Sequence, residues 1–458
     1  MSGAPRVTVG NGQGFWGDAS AGPAQLVERA QLDYLTLDYL AEVTMSILQK
    51  QRARDPHAGY ATDFVAMLRR VLRQCMEKGT KIVSNAGGVN PSACARAVAA
   101  AAIELELPAL RIAVVDGDDV LPDLDALLAD GEPLRNLDTG QLLAERRVDV
   151  QSANVYLGAA GVVDALADEA DVVITGRCTD AALTIGPLVH ELGWAWDDYD
   201  RLAAATVAGH LIECGTQVTG GILDDWRTVG DFTDIGFPIA EVTMDGTITL
   251  TKPPGTGGQV SVDSVTAQLL YEIGDPQHYA GPDVCTDFTA LTVSQEDLDR
   301  VRLSGASGHA PSDTYKVSVA VHAGWKAVGQ LTVSGPDAVD KARLCSDVLL
   351  RRLARDGVHF APDDTCIELL GAGALWPSRS PLTDPPEVVL RIAVRNADKR
   401  SVARFCSELA PLLTSGPPGL TGFAGGRPRP SELVGFWPAL VSKDRVHPRV
   451  RVAEAAQW

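Results

Sequence analysis

The sequence predicts an α/β fold: a mostly parallel, doubly wound N-terminal sheet, followed by a smaller two-layer α+β module of ββαββα pattern. Three observations carry this. Short runs rich in Val and Ile alternate with helical stretches as far as residue 195, the pattern of a parallel sheet built from crossover units. Glycines stand where these strands give way to the next helix, as at Gly10, Gly87 and Gly176. From Asp313 onward the pattern changes to apolar–polar alternation in pairs of strands separated by single helices. With 458 residues the chain exceeds one simple core. The reading divides it into an α/β domain (1–312), an α+β, ferredoxin-like module (313–415) and a Pro/Gly-rich extension (416–458). The extension holds Phe436 and Trp437, so it is expected to pack on the rest rather than expose them.

Taken in order, Arg6–Gly10 is a first strand that runs into the glycine-rich stretch Gly10–Asp18. The glycine spacing is not the dinucleotide fingerprint; Trp16 and Asp18 are read as lining a site. Pro23–Ala30 is a short helix. Leu35–Glu42 is a second strand whose end carries Asp38 and Glu42, read first as solvated carboxylates and second as an acid or base. Thr44–Lys50 and Ala61–Lys78 have helical apolar spacing. Lys81–Asn85 is a third strand, opening into a Gly turn and an Ala-rich helix, Ser92–Glu106, with Pro91 suited to its start. Arg111–Asp116 and Asn154–Leu157 are further strands. Asp171–Thr175, apolar on both faces, is a buried strand. Gly176 ends it, and Thr179 or Asp180 is placed to cap a helix from Ala181.

Beyond that point, the Ala-rich half of Leu202–Gly221 is helical. Asp245-Gly246 within Glu241–Leu250 marks a hairpin. A Pro/Gly loop, Thr251–Ser261, leads to the helix Val262–Ile273. In the C-terminal module Lys316–His322 and Trp325–Val333 are read as a hairpin and Ala338–Asp356 as a helix. Asp364–Leu370 and Glu387–Val394 are strands, and Arg400–Leu413 is a second helix.

Composition excludes some functions. The net charge of −19 argues against a surface for nucleic acid or anionic membrane. The 8 cysteines are scattered, and none shows CxxC spacing, so neither a zinc ribbon nor a thioredoxin-like motif is expected. They read as small core residues in a reducing cytosol. No run reaches membrane-spanning length and no apolar leader opens the chain, so a cytoplasmic protein is expected.

The candidate chemistry lies at strand exits, where open α/β sheets bind ligands. Arg177 and Asp180 follow the buried strand at Asp171–Thr175. One reading makes Asp180 a helix cap with Arg177 as its ion-pair partner; the other makes Asp180 a general acid or base. His210, Glu213 and Cys214 stand at i, i+3 and i+4, so they share one helix face if the helix persists. A carboxylate beside an imidazole fixes its tautomer and raises its basicity; a structural histidine at a helix end is the rival reading. One His and one Glu make a poor metal site, and no metal is expected. Asn85, Asn90 and Arg177 are candidates for carbonyl or carboxylate oxygens. Lys252, Thr256 and Gly257 lie in a loop before a helix, where amides favour an anion; a rigid connection is the rival reading.

Several stretches together carry a resemblance: GFWGD at Gly14–Asp18, DYLAE at Asp38–Glu42, SNAGGVNP at Ser84–Pro91, and TGRCTDAAL with LVHELGW between Thr175 and Trp194. GHLIECGTQVTGG at Gly209–Gly221 and TKPPGTGGQVSVDSVTAQLLYEI at Thr251–Ile273 complete it. The sequence resembles the acyclic terpene utilisation AtuA family. The resemblance implies a bacterial cytosolic protein that works on branched or terpene-derived acids as coenzyme A thioesters. It also implies a small ferredoxin-like-fold protein as a partner.

The expectation is therefore an acyl-CoA enzyme of hydratase or lyase type, without redox cofactor and forming a homo-oligomer. Asp180, His210 and Glu213 would be catalytic. Asp18, Asn85, Asn90, Arg177, Lys252, Thr256 and Gly257 would bind substrate. The rival readings are a non-catalytic subunit of an acyl-CoA-degrading complex and a phosphoryl-transfer enzyme.

Overall fold

The computed structural model describes residues 5–377, 385–422 and 425–458, apart from the side chain of Glu42. The chain forms two compact units. The first comprises Met1–Arg147, Gln151–Val319 and Phe436–Trp458; the second comprises Val148–Val150 and Ala320–Gly435. The boundaries differ from those read in the sequence. The division falls at Ala320, and the last segment belongs to the first unit because Arg449–Glu454 pairs antiparallel with Arg111–Asp116.

The first unit is built on a 10-stranded sheet. Its centre is parallel: β1 (Arg6–Asn11), β2 (Tyr34–Leu37), β3 (Lys81–Ser84), β4 (Arg111–Asp116) and β5 (Val172–Thr175) lie in the order β1-β2-β3-β5-β4. Every residue of β2 and β5 is buried, as a strand covered on both faces requires. Antiparallel strands β6 (Ile239–Thr243), β7 (Ile248–Thr251), β8 (Thr292–Asp297) and β9 (Arg300–Ser304) extend the β1 side in the order β8-β9-β7-β6.

Helices cover both faces. α1 (Gly22–Arg29), α3 (Thr62–Lys78) and α4 (Pro91–Glu104) pack on one; α2 (Glu42–Arg54) precedes α3. α5 (Ala160–Ala167), α6 (Ala182–Leu192) and α7 (Tyr199–Glu213) pack on the other, and α8 (Val262–Leu270) packs against α7. The period-2 pleat divides the strand residues between them. Leu35, Ile82, Ile112, Val172 and Ile174 join the core under α1, α3 and α4. From the opposite face the Tyr34 hydroxyl donates to Glu191 of α6 at 2.6 Å. β3 feeds α4 on the first face, and its neighbour β5 feeds α6 on the second. Their exits diverge, which opens a crevice at the carboxyl ends of the strands.

Three local expectations are corrected. β2 stops at Leu37, because the buried Asp38 carboxylate accepts from the Leu40 amide at 3.0 Å and turns the chain. α8 stops at Leu270, since Tyr271 is extended and Glu272 is left-handed. α6 starts without a side-chain cap; Asp180 turns instead to Arg177.

The second unit orders its elements β-α-β-β-α-β. β10 (Thr314–Ser334), which starts in the first unit, is followed by α9 (Ala338–Arg355), β11 (Thr365–Leu370), β12 (Glu387–Asn396), α10 (Lys399–Glu408) and β13 (Leu420–Gly422). The sheet runs β11-β12-β10-β13 and is antiparallel, the split βαβ arrangement. The expected first hairpin is a single strand of 21 residues. The alternation on either side of Gly324 belongs to one strand, and Gly324 passes through it at a φ of 103°. Among the described residues, no helix is long and apolar enough to cross a membrane.

Candidate functional site

The crevice at the strand exits is organised by Arg177. It follows Gly176, where a β-carbon would stand 2.1 Å from Asp118 Oδ1, so only glycine lets that carboxylate reach the backbone. Asp118 Oδ2 accepts from the Arg177 amide and from Asn154 Nδ2, each at 2.9 Å. Burial raises the Asp118 pKa to about 7 against these hydrogen bonds. The guanidinium is buried. It donates to the Leu40 carbonyl and, at 3.2 Å, to Asp180 Oδ1, and it stacks 4.2 Å from the centre of the Tyr156 ring. Behind it lies Asp38, 4% exposed. Burial and the charge of Asp180 push its carboxyl well up; Arg177, Asn85 and the Leu40 amide oppose this.

The second half of the site comes from the end of α7. The helix persists to Glu213, so His210 and Glu213 do share a face, and His210 Nδ1 lies 3.1 Å from Glu213 Oε1. The other ring nitrogen, Nε2, is 2.8 Å from the Gln268 carbonyl. A carbonyl only accepts, so Nε2 carries a hydrogen. One further proton is then shared between Nδ1 and the Glu213 carboxyl, as imidazolium with carboxylate or as imidazole with carboxylic acid. Burial disfavours the imidazolium, but Glu213 and the Gln268 carbonyl outweigh it and the His210 pKa rises. Burial raises Glu213 too; His210 opposes, and the charges of Asp180 and Glu272 add. Both shifts mean that the pair holds its proton to higher pH than either group alone.

These two halves meet at a cavity of about 370 Å³, within the lower range of small-molecule sites. Arg177, Thr179, Asp180, His210 and Glu213 line it, with Glu272, Tyr279, Asp283 and Lys316. Ile185, Ala181, Val284 and Leu440 supply apolar wall. The Thr179 hydroxyl is buried and has no hydrogen-bond partner among the described residues. Phe288 stands edge-on to the His210 ring, with centroids 5.5 Å apart. Asp283 accepts from the Ala159 amide through both oxygens, at 3.1 and 3.0 Å, and burial raises its pKa to about 6. Among the described residues no group of three His, Cys, Asp or Glu could hold a metal ion.

Of the residues singled out in the sequence, the fold brings Arg177, Asp180, His210 and Glu213 together at this cavity. The others lie outside its lining. Asn85 is fully buried and holds the loop behind Arg177: its Nδ2 donates to Asp38 at 2.7 Å and its Oδ1 accepts from the Tyr39 amide at 2.7 Å. Asn90 caps α4, accepting from the Ala93 amide and donating to the Pro56 and Ala58 carbonyls. Asp18 accepts from the Gly14 and Ala19 amides within its own turn.

Lys252 spends its ammonium on the Thr256 carbonyl at 2.9 Å and on Asp299 at 3.0 Å. Thr256 donates to the Pro253 carbonyl at 2.6 Å. Gly257 is required because a β-carbon would stand 1.9 Å from the Asp231 carbonyl. That loop is closed on itself. The side chain of Glu42 lies outside the described residues.

Sequence reasoning missed Glu272, Tyr279 and Asp283 altogether. All three lie beyond α8, where Tyr279 belongs to a strand of two residues and no period is long enough to mark a face. Thr179 stood out at the strand exit and as a helix cap but was given no role toward a ligand.

No curated protein and no solved structure matches the chain. The model of the acyclic terpene utilisation family protein AtuA matches residues 7–452 of the 458, a span that takes in both halves of the cavity. The chain belongs to the AtuA family, a membership that implies a role in acyclic terpene utilisation.

Proposed function

We propose that the first unit is an enzyme that adds water to, or removes it from, a branched or terpene-derived acyl-CoA. The observation that carries the reading is the His210–Glu213 pair, which holds one proton at the wall of a cavity that it shares with Asp180 and Arg177. Hydration of an enoyl thioester needs one group to take a proton from water and another to give one to carbon. Asp180 serves as the base: the water oxygen bonds to the β-carbon as its proton passes to the carboxylate. The dyad serves as the acid, delivering its proton to the α-carbon. Arg177 and the Thr179 hydroxyl, both at the cavity wall, hold the thioester oxygen in this scheme as charge builds on it. Elimination runs the same steps in reverse. No electrons are exchanged, so the reaction needs no redox cofactor. The cavity is sized for the acyl part, with the nucleotide left outside.

The test is a panel of branched enoyl- and 3-hydroxyacyl-CoAs incubated with the purified protein and followed by mass spectrometry for gain or loss of water. Turnover that disappears in Glu213→Gln and Asp180→Asn supports the reading. A panel left unchanged by wild-type protein, together with full growth on a terpene acid of a strain carrying either variant, marks a binding subunit instead. Native mass spectrometry of the same preparation reads the number of copies and any small partner chain.

A further inference from the structure

Hydration by this scheme leaves the dyad one proton short and Asp180 one proton over after each turnover, and His210 and Glu213 are poorly placed to recover theirs directly. Their side chains are only 3% and 14% exposed. A route to bulk water is needed when product or substrate fills the cavity. The end of α8 supplies one. Gln268 fixes the dyad from there: its carbonyl accepts from His210 Nε2, and its side-chain amide donates to the His210 carbonyl at 3.1 Å. Four residues on, Glu272 is exposed and lines the same cavity. Its backbone is left-handed, at a φ of 58°, a conformation that glycine or asparagine adopts more readily than a long side chain.

The other groups around the dyad are poor carriers. Burial pushes the Cys214 thiol and the Tyr279 phenol up, and it raises Tyr271 as well, so all three keep their protons. Asp180 is the base of the scheme; tied to Arg177 at 3.2 Å, it returns the proton it took to bulk water rather than to the dyad. Asp283 is tied to the Ala159 amide, and the Lys316 ammonium stands 4.7 Å from the centre of the Tyr156 ring. The charge of Glu272 acts on both members of the dyad, raising each.

We infer that Glu272 is the proton port of this site, the group through which the His210–Glu213 dyad exchanges its proton with water. The inference rests on the reading of that dyad as the acid. Glu272 takes a proton from solvent and passes it on through water in the cavity: its O–H bond breaks as one forms on that water, whose own O–H bond breaks as one forms on Glu213, and no electrons change hands.

The test uses full-length protein with ¹⁵N-labelled histidine and no substrate. NMR reads the exchange of the His210 ring protons with water, the resonance being assigned by its loss in His210→Gln. Glu272→Gln is expected to slow exchange by about ten-fold or more, and millimolar formate to restore it, as expected when a carboxyl proton carrier is replaced. Glu272→Asp should keep part of the rate. Glu272→Gly removes the carboxylate while relieving the backbone, so it should slow exchange with no fall in Tm. Exchange within about two-fold of wild type in both Glu272→Gln and Glu272→Gly would overturn the inference. Inertness toward acyl-CoAs would instead remove the proposed reaction and leave the exchange result standing.

Discussion

Two strand-exit loops of the first unit look alike in sequence and behave in opposite ways. Gly176–Asp180 and Thr251–Ser261 each follow a buried or half-buried strand, carry one basic residue among glycines or small polar residues, and lead into a helix. In the second loop the cation and the central hydroxyl turn inward: Lys252 to Thr256 and Asp299, Thr256 to Pro253. In the first, Arg177, Thr179 and Asp180 face a cavity, and a buried frame of Asp118, Asn154 and Asn85 holds them from behind. A glycine-rich turn is thus a ligand loop only where its polar groups line a cavity. Spacing alone does not decide that; the partners do.

The contrast can be broken by substitutions in both loops and their partners. The largest effect is expected at the dyad that faces the first loop. Glu213→Gln should lower kcat on any active acyl-CoA by about 10²–10⁴, the range for loss of a general acid, with near-UV circular dichroism unchanged. Retained turnover would remove Glu213 from the chemistry.

The next effect is on stability against pH. Asp118 has a folded pKa of about 7, above its ordinary value of 3.8, so its contribution is fully present below that ordinary value and is lost as pH rises through about 7. His210 and Glu213 are raised too and act in the same direction. The urea midpoint should fall between about pH 4 and pH 7, and Asp118→Asn should flatten that fall. An unchanged slope would mean that the carboxyl is not strained by burial.

Smaller effects are expected in the closed loop. Gly257→Ala forces a β-carbon onto the Asp231 carbonyl and should cost about 1–3 kcal/mol in urea unfolding. Lys252→Met should cost about as much, roughly 1–3 kcal/mol, by leaving Asp299 with the Val260 amide alone. Both should leave KM for acyl-CoA unchanged in the folded enzyme. A raised KM in Lys252→Met would make this loop a ligand loop and erase the contrast. The smallest change is Asn90→Ala, which removes a helix cap and should cost about 1 kcal/mol with no kinetic effect.

Much of this was legible from the residues. Parallel strands buried on both faces show as short β-branched runs, so Asp171–Thr175 and Lys81–Asn85 were readable within one residue of their observed bounds. The spacing of His210 and Glu213 was readable as a shared face because helical period is local. What misled was also local. A Gly in an alternating run reads as a turn, yet Gly324 lies inside one strand. Asn90 and Asp18 are polar residues at turns, and the backbone amides beside them claim their side chains before any ligand can.

The sequence by itself determined the fold class and the alternation of strand and helix in the parallel core, and it placed Arg177, Asp180, His210 and Glu213 among ten candidates, because each of these follows from periodicity or short spacing. Only the tertiary structure decided which loops open on a cavity and that Asn85 acts behind Arg177. It alone decided that Gln268, 58 residues from His210, sets the ring's tautomer, and that Glu272 stands at the cavity wall. The physical reason is common to all of these. Where a hydrogen bond goes depends on what packs against it, and packing joins segments that the chain keeps far apart.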